Sequence, residues 1–230
     1  MSKTQLIVAL DVESTEKALS IVDQIGSEVE WYKVGKQLFT LEGPSIVKAL
    51  KAKGKKVFLD LKFHDIPNTV SKAVEASLKI GADMVNFHAS GGSEMITKAV
   101  EDNSKSNPDA YLIAVTVLTS MGQETLDEVE LAGSPREAVG RLAKIAKKGG
   151  AQGVVCSAHE IDLIKETCGS DFAVVVPGIR PAGSATDDQK RIMTPKQAAD
   201  KGAEFIVVGR PITKAENLEA AALAILAELA

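Results

Sequence analysis

The chain has 230 residues, 45% hydrophobic and only 4% aromatic, with a formal net charge of -4 at pH 7. That length fits one large α/β domain or two small ones, with a core built mainly from Val, Ile, Leu and Ala. Interspersed acids and bases exclude both the basic face of a nucleic-acid binder and a polybasic membrane patch.

The opening "MSKTQLIVAL" reads as a first strand, because its apolar run is too short for a signal peptide or a membrane span. Short apolar, β-branched runs then recur: "QLIVAL" (5–10), "VEWYKVG" (29–35), "KVFLDL" (56–61), "MVNFHA" (84–89), "YLIAVTVL" (111–118), "GVVCSA" (153–158), "FAVVVPG" (172–178) and "EFIVVG" (204–209). Helical periodicity fills the gaps, as in "STEKALSIVDQIG" and "PREAVGRLAKIAKKGG", the latter ending in glycines as helices often do. Eight strands alternating with eight helices indicate a parallel sheet. Near-continuous apolar strands fit a sheet covered on both faces. Length and count predict a single (β/α)8 TIM barrel over 1–230, with a doubly wound open sheet as the competing architecture. The longest irregular stretch, "RPAGSATDDQKRIM" (180–193), has the length of a lid. Two cysteines, Cys156 and Cys168, make no disulfide framework and point to a reducing compartment, so a cytoplasmic protein is expected.

In such a barrel the active site lies at the C-terminal ends of the strands. The residues expected there are Asp11 after strand one, Lys33 after strand two, and Asp60 with Lys62 after strand three. His88 follows strand four, Thr119 and Ser120 strand five, Ser157 and His159 strand six, Arg180 strand seven, and Gly209 with Arg210 strand eight. Asp60 and Lys62 are two apart and share a strand face, which places both inside the barrel top beside Lys33. Alternating signs make the burial tolerable, whether the group is a structural ion pair or a site. Asp65 lies beyond the strand and could cap a helix beginning near Pro67, a residue suited to a first turn. Glycines and arginines after strands seven and eight, in "VVPGIR" and "VVGRPI", fit phosphate binding by backbone N–H groups and a forked guanidinium.

Other features carry less. His64 could pack beside the site, His88 serves equally well in a core, and His159 opens a helix. No spacing suits zinc, and a Mg²⁺ site on Asp60 and His64 is disfavoured by Lys62 between them. Cys156 reads as a small hydrophobe, and neither cysteine has a partner that would make it a nucleophile. There is no dinucleotide-binding glycine motif and no P-loop. The residues alone thus give a barrel enzyme for a small phosphorylated substrate.

The stretch "DLKFHDIPNTV" (60–70) closely resembles the signature of the orotidine 5'-monophosphate decarboxylases. In register with it are "LIVALDV" (6–12), "YKVG" (32–35), "AVTVLTSM" (114–121), "VVPGIRP" (175–181), "DQKRIMTP" (188–195) and "VVGRPIT" (207–213). The resemblance implies loss of CO₂ from the orotate ring to give uridine 5'-monophosphate, with no metal and no organic cofactor. It implies that Lys62 protonates C6, that Asp60 lies beside the substrate carboxylate, and that Lys33 and Asp11 hold the array and the ribose hydroxyls. It further implies a homodimer in which Asp65, with Ile66, reaches across from the other subunit, and in which Thr69 helps bind ribose. Thr119 would meet the pyrimidine edge, with Ser120 as second choice. Gln189 would bridge phosphate and base as the 180–193 loop closes. Gly209 and Arg210 would take the phosphate, with Arg180 closing from the lid.

Two other readings remain open to test. One is a Mg²⁺-dependent keto-sugar-phosphate decarboxylase of the same barrel group, which shares the D-x-K-x-x-D spacing. The other is a non-catalytic barrel that binds a phosphorylated ligand, although such a protein has no need of a costly buried charge array.

Overall fold

All eight apolar runs form strands, each shorter than its run or differently bounded. In a computed structural model, which describes residues 4–181 and 193–229, they are β1 (Gln5–Ala9), β2 (Trp31–Gly35), β3 (Lys56–Phe63), β4 (Met84–His88), β5 (Tyr111–Val115), β6 (Gly153–Val155), β7 (Ala173–Pro177) and β8 (Phe205–Val208). Each pairs in parallel with the next, and β1 pairs with β8, so the sheet closes into a barrel in chain order. The open-sheet alternative is thereby excluded.

Helices follow every strand: α1 (Thr15–Ile25), α2 (Lys36–Glu42), α3 (Pro44–Ala52), α4 (Pro67–Lys79), α5 (Gly92–Asn103), α6 (Gln123–Glu128), α7 (Pro135–Lys148), α8 (Ile161–Cys168), α9 (Pro195–Asp200), α10 (Arg210–Thr213) and α11 (Leu218–Glu228). The described residues thus hold more helices than the eight expected, because three connections are split in two. The break between α2 and α3 shows why. Gly43 sits at φ +61, open to glycine but strained for other residues, and Pro44 then starts the next helix. Local chemistry sets other ends as the pattern predicts. Ser14 accepts the Lys17 N–H at the start of α1, and Ser134 with Glu137 forms a reciprocal cap on α7. None of the described helices is long and apolar enough to cross a membrane.

The strands alternate between two cores. Ile7, Ala9, Trp31, Phe58, Met84, Ile113, Val175, Phe205 and Val207 fill the barrel, while Leu6, Val8, Tyr32, Val57 and Leu59 pack outward under the helices. Trp31 meets Phe205 edge-on at 5.3 Å between ring centroids, plugging the interior with the few aromatics available. The site therefore sits on a packed floor, not over a pore.

Candidate active site

Inward-facing positions run up β3 from Phe58 to Asp60 and then Lys62, while Leu59, Leu61 and Phe63 pack toward the helices. The expected sharing of one face holds, but the strand does not stay regular. Leu59 pairs with Val85 and Phe63 with Phe87, so four steps along β3 match two along β4. The ladder slips between these points, as at a bulge. Within the slip Lys62 adopts φ +54, one of two positive-φ residues other than glycine among those described. For an L-residue this conformation costs roughly 1–2 kcal/mol. Such outliers gather at sites where the surroundings enforce them.

The charges meet as an alternating chain. Lys62 Nζ lies 2.6 Å from Asp60 Oδ1, Lys33 Nζ lies 3.5 Å from Asp60 Oδ2, and Lys33 Nζ also lies 3.1 Å from Asp11 Oδ1. Asp60 is 9% exposed. Burial works against its ionisation, yet the Lys33 and Lys62 charges and hydrogen bonds from Lys62 and Asn86 outweigh that and hold its carboxyl below the usual range. Gly35 makes room for the chain, since a Cβ there would come within 3.0 Å of Lys33 Nζ and 3.3 Å of Asp11 Oδ1.

Above this chain opens a cavity of about 290 Å³, lined by Lys33, Asp60 and Lys62 and by Phe58, Val115, Thr119, Ser120, Cys156, Pro177 and Val207 among others. One wall is charged and the rest largely apolar, the usual make-up of a small-molecule site. A larger hollow of about 860 Å³ lies at the opposite end of the barrel, near Thr4, Tyr111 and Gln152. Its Lys165 is committed to Glu204 at 2.5 Å and to two backbone carbonyls.

Thr119 and Ser120 were expected to end strand five. They lie four and five residues beyond β5, in the following loop, and still reach the cavity. Gly209 stands at the start of α10 with Arg210 beside it, and a Cβ on Gly209 would lie 3.7 Å from Asp11 Oδ2, so the end of β8 adjoins the charged chain. Arg180 is buried at the base of its loop, where its N–H donates to the Met193 carbonyl and its Nη1 to the Ile179 carbonyl. Gln189 lies outside the described residues.

Asp65, Ile66 and Thr69 do not join the array within one chain. All three are exposed, Ile66 by 66%. Asp65 accepts the Ile66 N–H at 2.6 Å, and among the described residues no ion pair joins it to a lysine. It does not cap α4, whose cap position is Ile66. The His64 and His88 rings lie 5.4 Å apart between centroids, tilted by 39°, near the mouth. Burial first, then the positive neighbours His64, Lys36 and Lys62, push the His88 pKa down against the opposing pull of Asp60. Among the described residues no three His, Cys, Asp or Glu side chains group as metal ligands would.

Sequence reasoning passed over Asn86. It hides in "MVNFHA", an apolar run that reads simply as a strand, yet it is fully buried and bonded to both Asp60 and Lys62. An amide in the middle of a core strand requires partners, and that requirement was the available signal.

Comparison with known proteins agrees with this geometry. Residues 4–225 match the model of the family described as "Orotidine 5'-phosphate decarboxylase / HUMPS family". The chain belongs to that family. A curated member from Pseudoalteromonas translucida, named orotidine 5'-phosphate decarboxylase, is 52% identical over 214 residues, covering 93% of this chain and 92% of the relative. One of the same name from Nitrosococcus oceani is 48% identical over 229 residues, covering 100% of this chain and 99% of the relative. Among solved structures, orotidine 5'-phosphate decarboxylase from Lactobacillus acidophilus superposes with a TM-score of 0.88 at 40% identity, covering 99% of each chain. Family membership thus rests on nearly the whole barrel and not on the β3 signature alone.

Proposed function

We propose that the protein decarboxylates orotidine 5'-monophosphate to uridine 5'-monophosphate and CO₂, a step of pyrimidine synthesis. The observation that carries this reading is the Lys62–Asp60–Lys33 chain at the floor of a mouth-side cavity. The pyrimidine lies over Lys62 with its carboxylate toward Asp60. As the C6–carboxylate bond breaks, the electron pair stays on C6. The Lys62 ammonium stabilises that charge and then donates its proton to the carbon. Asp60 cannot stabilise the departing carboxylate. It orients Lys62 and repels the carboxylate of the substrate's ground state.

Lys33 and Asp11 extend the chain toward the ribose, and Thr119 meets the base. Gly209 and Arg210 hold the phosphate, and Gln189 and Arg180 complete its enclosure as the 180–193 segment closes. The exposed Asp65–Ile66–Thr69 face is completed in a homodimer, with Asp65 joining the partner's array and Thr69 reaching its ribose site. An exposed isoleucine beside a carboxylate that no lysine pairs among the described residues supports this, since both gain from a partner surface.

The test is an ultraviolet assay with orotidine 5'-monophosphate and EDTA, on wild type and Lys62→Ala. Orotate absorbance decays with wild type and stays flat with the variant. A folded wild type that leaves the absorbance flat, or that acts only on a keto-sugar phosphate with Mg²⁺, overturns the proposal.

A further inference from the structure

Where the β3–β4 register slips, the Lys62 backbone N–H needs a partner inside the barrel. Asn86, on β4 and 0% exposed, supplies one: the Lys62 N–H donates to Asn86 Oδ1 at 2.8 Å. The same amide donates from Nδ2 to Asp60 Oδ1 at 2.7 Å, the oxygen that also receives Lys62 Nζ at 2.6 Å. Asn86, Asp60 and Lys62 therefore close a ring through three hydrogen bonds. The amide's orientation is fixed by chemistry, since an ionised carboxylate only accepts and a backbone N–H only donates.

We propose that Asn86 is a positioning residue for the decarboxylation inferred above, on which this assignment rests: one planar amide fixes both the left-handed backbone at Lys62 and the orientation of the Asp60 carboxylate. No other uncharged side chain of this size offers a donor and an acceptor side by side. Alanine leaves the Lys62 N–H unmet inside the barrel and takes from Asp60 one of the bonds that align its carboxylate, a loss that costs free energy in a buried site. Aspartate keeps an acceptor for the Lys62 N–H but replaces the donor with a second carboxylate, and two adjacent carboxylates cannot both ionise readily. Asp60 is faced by Lys62 from its own strand, Lys33 from β2, and Asn86 and His88 from β4. Asn86 acts on Asp60 through hydrogen bonding and carries no charge at any pH, so its loss alters alignment without changing the net charge of the array.

The experiment compares wild type, Asn86→Ala and the isosteric Asn86→Asp in two readouts. The first is the titration of the Asp60 carboxyl by ¹³C NMR in the unliganded protein, assigned with Asp60→Asn. The second is kcat and KM for orotidine 5'-monophosphate. In Asn86→Ala the Asp60 titration moves to higher pH, and kcat falls by about 10- to 100-fold while KM stays nearly constant, the loss expected for one hydrogen bond to a charged group. Asn86→Asp folds and is impaired at neutral pH. A variant pair that melts earlier but keeps the wild-type titration and kcat overturns the proposal, as does full activity in Asn86→Asp. A wild type with no turnover of this substrate overturns the decarboxylase reading instead, and the titration, which needs no substrate, still tests the Asn86–Asp60 link separately.

Discussion

Lys33 joins two unlike carboxylates: its ammonium lies 3.1 Å from the exposed Asp11 and 3.5 Å from the buried Asp60. One cation thus links the solvent-facing rim of the barrel mouth to its floor. Replacing Lys33 with Met removes a partner from Asp60 while Lys62 and Asn86 remain. Turnover should collapse, and stability should fall by about 1–3 kcal/mol, the cost of an under-satisfied buried polar group. Urea denaturation alongside the ultraviolet assay measures both. An active Lys33→Met enzyme would remove Lys33 from the array's working members.

Gly35 provides a steric test of the same chain. In Gly35→Ala the new Cβ, 3.0 Å from Lys33 Nζ and 3.3 Å from Asp11 Oδ1, pushes the ion pair apart. Activity should drop with little change in melting temperature, because a flexible lysine end can move. Gly153→Ala is the contrast. There the Cβ would lie 2.3 Å from the Ala173 carbonyl oxygen, against a backbone that cannot yield. That substitution should cost stability, about 1–3 kcal/mol or more by overpacking, and scanning calorimetry distinguishes the two outcomes.

The left-handed backbone at Lys62 predicts an inverted preference. Lys62→Ala and Lys62→Gly both lack the ammonium and should both be inactive. In an ordinary strand alanine is the better tolerated of the two. At φ +54 glycine avoids the Cβ clash, and Lys62→Gly should be the more stable by about 1 kcal/mol. Equal denaturation midpoints, or a more stable alanine variant, would show that position to be unstrained.

Acid should weaken the fold through two groups. His88 binds a proton less readily folded than unfolded. Its stabilising contribution is therefore complete above the ordinary histidine value of about 6.5 and is lost as pH falls through it toward the lower folded value. Asp60, whose carboxyl is held below the usual range, contributes fully above about 3.9 and loses that contribution as pH falls through its folded value. Denaturation midpoints between about pH 8 and pH 5 should decline in wild type and flatten in His88→Gln.

The phosphate end is tested by truncation. If phosphate binding is used to close the site, orotidine without its phosphate should lose kcat as well as affinity. A change confined to KM would show that the phosphate only anchors.

Strand and barrel were legible from the sequence because buried parallel strands write themselves as apolar runs. Most runs overshot their strands at the C-terminal ends, as in 111–118 against Tyr111–Val115, where loop residues of the mouth such as Val117 and Leu118 are also apolar, whereas the third run stopped two residues short of Phe63. The Asp60–Lys62–Lys33 convergence followed from alternation plus the neighbouring strand. The β3 slip did not, since register depends on pairing that no single strand encodes. Nor did Asn86, whose role arises only where the slip sets the Lys62 N–H against its side chain. Asp65, Ile66 and Thr69 are placed by resemblance alone, because a single barrel leaves all three facing solvent.

The strained backbone at Lys62 also bears on descent. A barrel of this kind that lost its chemistry would no longer be selected to keep a lysine in a left-handed conformation. Random substitution would then favour glycine or asparagine at that position, and the β3–β4 register would be free to return to regular pairing. The identity of residue 62 in a related chain, read together with the register of β3, therefore serves as a marker of whether that lineage still maintains the reaction.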